Sequence, residues 1–427
     1  MFAPAVLFLV VVSSAATHSS GAISSASLQG IGTISVDNGP NGIAFDPQNG
    51  NLYVANFRSS TISVINGTTN AVSETIYLNA ENNPLDVAYD PFNGYIYVTD
   101  TYGGSVSIID GKNNSLIASD EVGEDEDHPN GITYDPLNDE MYVVMGALDS
   151  LIAIDSATNS IAGEASLGSV NMPWGIVYDP VNGELYVSNV YTNLVSVLNG
   201  TTNALLGSIS TGKSPTYLSV DMAPGASYGD LFLTNFASNT VSVINWKTNS
   251  VIQNITVAGN PKSIVFDSKD DDFYVTDYGS GTVSVINGIN DSLLGYAPAG
   301  REPNELAFDP LNNDLYVTNF GDGTVTIIPT IDLALSLPFA NATSDSTTST
   351  ITGSSNATSS IGTHNSESDS SVENTTTIGS SYTTTQSEAT KIVSLDDLTP
   401  NDIVTLAAAA ISIVIASGLL LVKRRVH

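Results

Sequence analysis

The sequence predicts an all-β protein: a seven-bladed β-propeller of four-stranded blades, followed by a disordered Ser/Thr-rich stalk and one C-terminal transmembrane helix. The main observation is a sequence motif of turn and strand residues that begins at a proline and occurs seven times. A Ser/Thr-rich tract and then a charge-free run follow the last copy. Repeats of this length stack, because each unit buries its apolar surface only against its neighbours. The prolines are separated by 44, 45, 44, 42, 46 and 42 residues and are Pro40, Pro84, Pro129, Pro173, Pro215, Pro261 and Pro303.

Each copy contains four predicted strands, as its first occurrence shows. Two short runs rich in aromatic and β-branched residues, 42–46 and 52–56, flank the turn sequence Asp-Pro-Gln-Asn-Gly. A third run, 61–65, alternates with period two, and a fourth follows at 71–78. Four antiparallel strands cannot bury both faces of their sheet alone. Packing seven such sheets around a ring covers the faces and leaves only short edges.

The second strand of each copy carries the most regular motif. It reads YVAN (53–56), YVTD (97–100), YVSN (186–189), YVTD (274–277) and YVTN (316–319). Copy three departs from the motif with YVVM (142–145) and copy five with FLTN (232–235). The motif resembles that of the YVTN-repeat β-propellers, a family often found in archaeal surface-layer-type proteins. The resemblance covers about residues 30–337 and implies the fold, whereas it implies little about activity, because propellers host many unrelated functions.

Composition limits the classes of partner. The 427 residues carry a formal charge of −33 and contain no cysteine, which excludes disulfides and thiolate metal sites. Residues 31–337 hold 36 acidic and 7 basic side chains, a net charge of −29. Such a surface repels phosphate backbones, so nucleic acid is excluded as a partner. We interpret the acidity mainly as a means of solubility in a salty or cation-rich medium rather than as an acidic binding patch.

The N-terminal segment is predicted to be a signal peptide (1–16) followed by a leader (17–30). An apolar run at 3–12 precedes small residues, which is typical of secretory signals, although no Lys or Arg precedes the run. The propeller is assigned to 31–337. Its first strand, within 32–37, matches the end of copy four and is predicted to complete the last blade. The rival for that position is the alternating run 331–337.

The C-terminal segments predict attachment to a membrane. Residues 338–401 form the stalk, and 28 of the 50 residues in 341–390 are Ser or Thr, a composition that cannot bury a core and is typical of glycosylated stalks. Residues 402–422 are predicted to span the membrane, and the basic tail 423–427 is expected to stay in the cytoplasm. The protein is therefore expected at the cell surface as a single-pass membrane protein with the propeller outside.

Residues that recur in every blade are interpreted as structural, because a catalytic residue needs to occur only once. An aspartate at each first turn and the asparagines at the ends of the second strands belong to this class. Glycosylation sequons also occur, and those in the propeller fall mainly in turns between third and fourth strands. The aspartates are Asp46, Asp90, Asp135, Asp179, Asp221, Asp267 and Asp309, and the strand-end asparagines are Asn56, Asn189, Asn235 and Asn319. The sequon residues are Asn66, Asn113, Asn199, Asn254, Asn290, Asn341, Asn356 and Asn374.

Residues that differ between blades, on the face opposite the Asp-Pro turns, are the candidates for a ligand or partner site. Such a set of aromatic, amide and charged groups suits a sugar or a peptide, and the expected partner is a protein or glycan of the cell envelope. The alternative, that these side chains only plug the central funnel and solvate its rim, stays open. The candidates are Asn41, Arg58, Asp86, Asp100, Asn130, Trp174, Tyr217, Lys262, Arg301 and Glu305.

Two functions follow. The favoured one is a non-enzymatic recognition or cell-envelope interaction module displayed on a stalk. The alternative is an extracellular hydrolase or lyase of the lactonase-like propeller type. Only His128 of the four histidines falls in the propeller, and neither a Ser-His-Asp set nor a multi-histidine metal site can be drawn. No cofactor is expected, although Ca²⁺ held by carboxylate and amide oxygens in the central channel stays open.

Overall fold

The computed structural model describes residues 32–79, 82–169, 172–222 and 228–330. These residues form seven four-stranded antiparallel sheets, which confirms the seven-bladed propeller of four-stranded blades. The first strand of each sheet contacts the first strands of both neighbouring sheets, so the first strands surround a central channel. Contacts between residues divide the chain into two units. The first, Met1–Ser346, contains all the described residues, and the second, Thr347–His427, lies outside them.

The strands run outward from the channel in chain order, except in the last blade. Blades 1 and 2 comprise β2 (Pro40–Asp46), β3 (Asn51–Asn56), β4 (Thr61–Asn66), β5 (Ala71–Tyr77), β6 (Pro84–Asp90), β7 (Tyr95–Asp100), β8 (Ser105–Asp110) and β9 (Ser115–Glu121). Blades 3 and 4 comprise β10 (Pro129–Asp135), β11 (Glu140–Met145), β12 (Ser150–Asp155), β13 (Ser160–Ser166), β14 (Pro173–Asp179), β15 (Glu184–Asn189), β16 (Leu194–Asn199) and β17 (Leu205–Ser210). Blades 5 and 6 comprise β18 (Pro215–Val220), β19 (Leu231–Asn235), β20 (Thr240–Asn245), β21 (Ser250–Thr256), β22 (Pro261–Asp267), β23 (Asp272–Asp277), β24 (Thr282–Asn287) and β25 (Ser292–Pro298).

Blade 7 joins the two ends of the propeller. It comprises β26 (Pro303–Asp309), β27 (Asp314–Asn319), β28 (Thr324–Pro329) and, as its outer strand, β1 (Gly32–Ser35). β1 pairs antiparallel with β28, placing Ile34 opposite Val325. The predicted closure by the N-terminal strand is therefore confirmed. The rival segment 331–337 lies outside the described residues.

The hydrophobic core lies between the blades as seven separate clusters. Each cluster joins residues of two neighbouring sheets, as blades 1 and 2 show with Tyr53, Val64, Val87 and Ile96. The cluster between blades 7 and 1 contains Ile34 of β1, so ring closure buries apolar surface as well as forming strand hydrogen bonds. The blades are stable only as a closed set, because an isolated sheet would expose both of its apolar faces.

The threonine of the Tyr-Val-Thr-Asn motif fixes the start of the next blade's inner strand. Thr99 Oγ1 donates a 2.8 Å hydrogen bond to the carbonyl oxygen of Asn130, and Thr276 Oγ1 donates a 2.7 Å bond to that of Asn304. Blades 4, 5 and 7 repeat the contact. Blades 1 and 3 have Ala and Val at this position and lack it. The remaining pairs are Ser188 with Thr216, Thr234 with Lys262, and Thr318 with Asn41.

The motif tyrosine joins the blades at the face that carries the Asp-Pro turns, here named the turn face. The hydroxyl of Tyr97 donates a 2.6 Å hydrogen bond to Asn159 Oδ1 in the third-to-fourth-strand turn of the next blade, and it accepts one from Asn93 Nδ2. Tyr53, Tyr142, Tyr186 and Tyr316 make equivalent bonds. The exception is Tyr274, whose buried hydroxyl finds no partner within the described residues. Its neighbour, blade 7, has no third-to-fourth-strand hairpin, because β1 supplies the outer strand.

Several predictions fall on segments that the model does not describe. The signal peptide, the leader, the stalk, the span 402–422, the tail, and the sequons at Asn341, Asn356 and Asn374 all lie outside the described residues. Within the described ranges, no helix is long and apolar enough to cross a membrane. The location of the protein therefore stays a prediction.

Candidate functional site

The residue that follows the first proline of each blade begins the ring around the central channel. In five of the seven blades its carbonyl is held by the motif threonine or serine of the preceding blade, the exceptions being Leu85 and Trp174. Repeated residues therefore fix the backbone of a position whose side chain changes from blade to blade. The seven residues are Asn41, Leu85, Asn130, Trp174, Thr216, Lys262 and Asn304.

At the next position, glycine is required in several blades by the closeness of the neighbouring inner strand. A Cβ atom on Gly42 would lie 2.5 Å from the carbonyl oxygen of Leu85, and one on Gly131 would lie 2.5 Å from that of Trp174. Blades 2, 5 and 7 instead carry large polar side chains at this position: Asp86, Tyr217 and Glu305. Blade 6 has the small Ser263 here, so the large side chains mark blades 2, 5 and 7 as the ones that fill the channel.

These three side chains meet across the channel. The Tyr217 hydroxyl donates a short hydrogen bond to Glu305 Oε1, and the carboxyl groups of Asp86 and Glu305 are hydrogen-bonded to each other. Blades 2, 5 and 7 are not neighbours in the ring, so the contacts cross the axis. Asp86 also accepts backbone N–H bonds from Val87 at 2.8 Å and from Ile132 at 3.1 Å.

Burial dominates the protonation of this cluster. It raises the pKa of the Asp86 carboxyl to about 6, against the backbone donors and the charge of Lys262. Burial and then the charge of Asp86 raise the pKa of Glu305 well above its usual range. Burial lowers the pKa of Lys262 to about 8, although both carboxyls oppose that shift. Burial therefore disfavours the charged form of all three groups, while Lys262 places a positive charge beside the two carboxyls.

Tyr217 completes the cluster as a neutral donor. Burial, followed by the negative charges of Glu305 and Asp86, raises the pKa of its hydroxyl well above the usual value. The indole N–H of Trp174 lies near enough to oppose this shift, yet it does not meet the geometry of a hydrogen bond to any described acceptor. The phenol therefore keeps its proton at physiological pH and donates it towards Glu305.

A pocket opens above the cluster on the face opposite the turn face, here named the funnel face. Its volume is about 360 Å³, which is at the small end of the usual range for ligand sites. Its lining mixes aromatic and amide side chains from blades 1, 4, 5, 6 and 7. The lining residues are Asn41, Trp174, Val190, Thr216, Phe236, Lys262, Tyr278, Asn304 and Phe320.

Lys262 connects the pocket with the buried cluster. Its Nζ lies 5.7 Å from the ring centroid of Trp174 and 5.8 Å from that of Tyr278, within the range of cation–π attraction. Lys262 is the one cationic side chain among the pocket residues, and its charge also acts on Asp86 and Glu305. A ligand in the pocket would touch the lysine, whereas the two carboxyls and Tyr217 lie behind it.

The other candidates from the sequence are distributed around the funnel face. Arg58 lies over the Phe320 ring at 4.2 Å, at the rim of the pocket. Arg301 is exposed and pairs with Asp322, with 3.3 Å between Nε and Oδ1. Asn130 is buried in the channel wall, where its Nδ2 donates to the carbonyl of Pro173. None of these three lines the pocket.

Asp100 is the candidate that the structure removes from the site. It occupies the strand-end position where other blades have asparagine, and its Oδ2 accepts bonds from Ser105, Ser107 and Asn82. From its position at the end of a second strand, its side chain was expected on the funnel face. In the structure the side chain turns back towards its own blade. Burial within the blade raises the pKa of Asp100 to about 7, so this raised pKa reflects packing and does not mark a functional group.

The recurring aspartates and asparagines have the structural roles that the repeats predict. The carboxyl Oδ1 of Asp46 accepts a 2.8 Å bond from the N–H of Gln48, an Asx-turn that Asp90 and Asp309 repeat. Asn56 Nδ2 donates to Ser63 Oγ at 2.9 Å. Of the propeller sequons, Asn113 and Asn290 accept bonds from the serine of their own sequon in exposed turns, whereas Asn254 lies within β21.

Sequence reasoning identified Trp174 but missed the other three aromatic walls of the pocket. Phe236, Tyr278 and Phe320 each follow directly after the second strand of their blade, and Val190 takes the same place in blade 4. The signal was available, because this position varies between blades as the inner-strand position does. It was overlooked because it lies one residue beyond the motif.

The groups in the channel are better suited to the ammonium group of Lys262 than to a bound Ca²⁺ ion. The described residues contain no group of three or more His, Cys, Asp or Glu side chains that would hold a metal ion. Ca²⁺ takes about six to eight oxygen ligands, whereas both oxygens of Asp86 already accept backbone N–H bonds. The Lys262 ammonium provides positive charge beside both carboxyls.

Comparisons with known proteins add a likeness of fold. No family model and no curated protein matches the chain. Among solved structures it is similar to a streptogramin B lyase, at 15% identity and a TM-score of 0.60 over 70% of this chain and 96% of that one. It is also similar to a catalytically inactive histidine-to-alanine variant of virginiamycin B lyase from Staphylococcus aureus with quinupristin, at 16% identity, a TM-score of 0.59, and 70% and 98% coverage. The chain is also similar to hydrazine synthase of Kuenenia stuttgartiensis, at 17% identity and a TM-score of 0.55. The likeness covers 68% of this chain and 96% of that one.

Proposed function

We propose that the propeller is a recognition module that binds a ligand of the cell envelope in the funnel-face pocket. The observation that carries this proposal is the pocket itself, which is built from the positions that differ between blades. Trp174, Phe236, Tyr278 and Phe320 supply apolar surface, and Asn41 and Asn304 supply amide groups. A few polar groups among aromatic walls are typical of small-ligand sites.

The sealed position of the carboxyls favours binding over catalysis. Asp86 and Glu305 are buried and do not line the pocket, and their hydrogen-bonding capacity is directed at Tyr217, at each other and at backbone N–H groups. A general acid or base must reach the proton that it transfers. In this geometry the two carboxyls and Lys262 set the charge of the pocket floor.

We expect a Trp174→Ala variant to lose ligand binding while keeping its fold. Fractionated envelope glycans and peptides would be tested against the full-length protein and the variant by the shift in melting temperature that each fraction produces. Tyr77→Ala is the matched control, because Tyr77 is 76% exposed on the outer strand β5, away from the pocket. A fraction that stabilises all three proteins equally would place binding outside the pocket and contradict the proposal.

A lyase or hydrolase is the second candidate, favoured by one observation. Asp86, Glu305 and Lys262 form a convergent set with shifted pKa values, which is common at active sites. The structural neighbours include lyases, and one of them is recorded with quinupristin. The test is turnover of quinupristin and of simple lactones by the full-length protein, with and without Ca²⁺. Turnover that is abolished in both Lys262→Gln and Glu305→Gln would replace recognition with catalysis as the function.

The setting of the module is part of the proposal. A propeller outside the cell, carried by a Ser/Thr-rich stalk and one membrane helix, would hold the pocket towards neighbouring envelope components. Sequons in exposed turns of the turn face would place glycans away from the pocket. Protease treatment of intact cells is expected to release the propeller.

A further inference from the structure

We propose that the funnel-face pocket takes a neutral sugar, the terminal ring of a glycan. This inference rests on the proposed function and specifies its ligand. Four properties of the pocket carry it: its closed outline, its aromatic walls, its unpaired amide oxygens and its single cation.

The outline of the pocket suits a ring rather than an extended chain. Its residues come from five blades around the axis, so the site is a cup at the centre of the disc. Extended peptides often dock by adding a strand to an exposed sheet edge. The strands that begin at this cup are the innermost strands, and motif hydroxyls hold the starts of four of these five strands against the preceding blades. The cup therefore offers side chains to a ligand and no free strand edge.

The amide groups at the floor are ready to accept hydrogen bonds. The side-chain oxygens of Asn41 and Asn304 are buried and make no hydrogen bond in the described structure. Asn304 is 1% exposed and Asn41 is 4% exposed. A buried acceptor without a partner costs free energy, and turning the amide towards a ligand would lose no existing bond of that oxygen. The pocket therefore favours a ligand that brings several hydroxyl or N–H donors.

The walls require that the same ligand carry an apolar face. Trp174, Phe236, Tyr278 and Phe320 surround the amide floor. Aromatic rings bury large apolar areas, and a ligand made only of polar groups would leave them without favourable contact. A pyranose has both properties, because its C–H groups form one apolar face while its hydroxyls project around the edge.

Charge excludes the ionic alternatives. Lys262 already occupies the space between two rings, so it would repel a cationic ligand from the aromatic walls. An anion would be attracted by Lys262 but opposed by the Asp86 carboxylate behind it and by the net charge of −33. Acidic and basic groups therefore lie together beneath the pocket, so neither an anion nor a cation is favoured there and an uncharged ligand fits best.

The experiment compares sugars of similar size and different charge. The probes are methyl α-mannoside, methyl β-glucoside and N-acetylglucosamine as neutral sugars, glucosamine as a cation and glucuronate as an anion. Binding to the full-length protein at pH 7 would be measured by calorimetry and by saturation-transfer NMR. We expect at least one neutral sugar to bind and to saturate, and the charged sugars to bind about tenfold more weakly or not at all.

Variants separate the pocket from other surfaces. Trp174→Ala is expected to weaken binding of the neutral sugar about tenfold by removing the stacking face. Asn304→Ala is expected to weaken it by a smaller factor, and Tyr77→Ala should leave it unchanged. If Trp174→Ala folds poorly, Trp174→Phe should fold and retain part of the affinity.

The outcomes distinguish this inference from the broader proposal. Preference for glucuronate or glucosamine would overturn the assignment of a neutral sugar. So would binding of an envelope peptide that depends on Trp174 while no sugar binds. Both outcomes would leave the recognition function standing. Absence of any ligand that depends on Trp174 would overturn both. Equal binding to the Trp174→Ala variant and the native chain would show that the sugar site lies elsewhere and would also overturn the inference.

Discussion

The turn face and the funnel face of the propeller use the same sequence repeat for different purposes. On the turn face, five of the six motif tyrosines make the same kind of bond to the next blade, and the aspartates form the same Asx-turn. On the funnel face, equivalent positions hold Asn41, Trp174, Lys262 and other unlike side chains. Interactions that every interface needs are repeated, whereas a ligand site on the axis needs each group only once.

The two sets of residues are nevertheless linked through the backbone. The motif threonine is repeated, yet the carbonyl that it holds belongs to the variable residue of the next blade, as with Thr234 and Lys262. The repeat therefore fixes a ring of backbone positions, and the side chains on that ring are free to differ. This division explains how one rigid scaffold can carry unrelated pockets.

The largest expected effect comes from restoring the repeat at Asp277. Most blades have asparagine at this strand end, and burial raises the pKa of Asp277 to about 7. The unfolded chain loses this proton near pH 4 while the folded protein keeps it, so stability falls as the pH rises from about 4 to 7. Asp277→Asn removes that dependence and is expected to stabilise the protein at pH 8 by up to about 4 kcal/mol. Thermal unfolding at pH 4 and pH 8 measures the effect.

The reciprocal change provides the control. Asn56 Nδ2 donates to Thr61 and Ser63, and the hydroxyls of Thr282 and Ser284 donate to Asp277. Asn56→Asp should therefore create the same pH-dependent loss in blade 1. Asp100→Asn is expected to gain a similar amount, because burial raises the pKa of Asp100 to about 7 as well, although Asn82 also donates to that carboxylate. Equal stabilisation by Asp277→Asn at pH 4 and pH 8 would refute the electrostatic explanation.

The fold could be predicted almost entirely from the sequence, because the signals that determine it occur seven times. Even the closure by residues 32–37 followed from the likeness of residues 32–40 to 207–215, the end of copy four, with the same spacing to the following proline. The site could be predicted only in part. Position in the repeat identified Trp174, Lys262 and Glu305, but it could not show that Asp100 turns back into its blade or that Glu305 meets Tyr217 across the axis. Contacts between blades 5 and 7 leave no local pattern in the sequence.

A smaller effect tests the uniformity of the turn face. Tyr97→Phe removes bonds to Asn93 and Asn159 and is expected to cost about 1–2 kcal/mol, because these two partly buried amides lose a hydrogen-bond partner. Tyr274→Phe is the matched control, since the Tyr274 hydroxyl is buried without a described partner. Its removal should be neutral or stabilising. Urea unfolding of both variants measures the difference, and equal losses would show that the hydroxyl bonds do not join the blades.

The smallest effect is expected at the rim of the funnel face, where the charges are exposed. Arg301 and Asp322 form an ion pair with side-chain exposures of 69% and 41%, and Asp322 also accepts the N–H of Arg301 at 2.6 Å. Water can replace both interactions, so Asp322→Ala should change the free energy of unfolding by less than about 0.5 kcal/mol. The same urea measurement, made at low and at high salt, checks this value. A loss as large as that of Tyr97→Phe would mean that the rim is as constrained as the turn face. The freedom to vary rim residues without loss of stability would then no longer explain why the funnel face differs between blades.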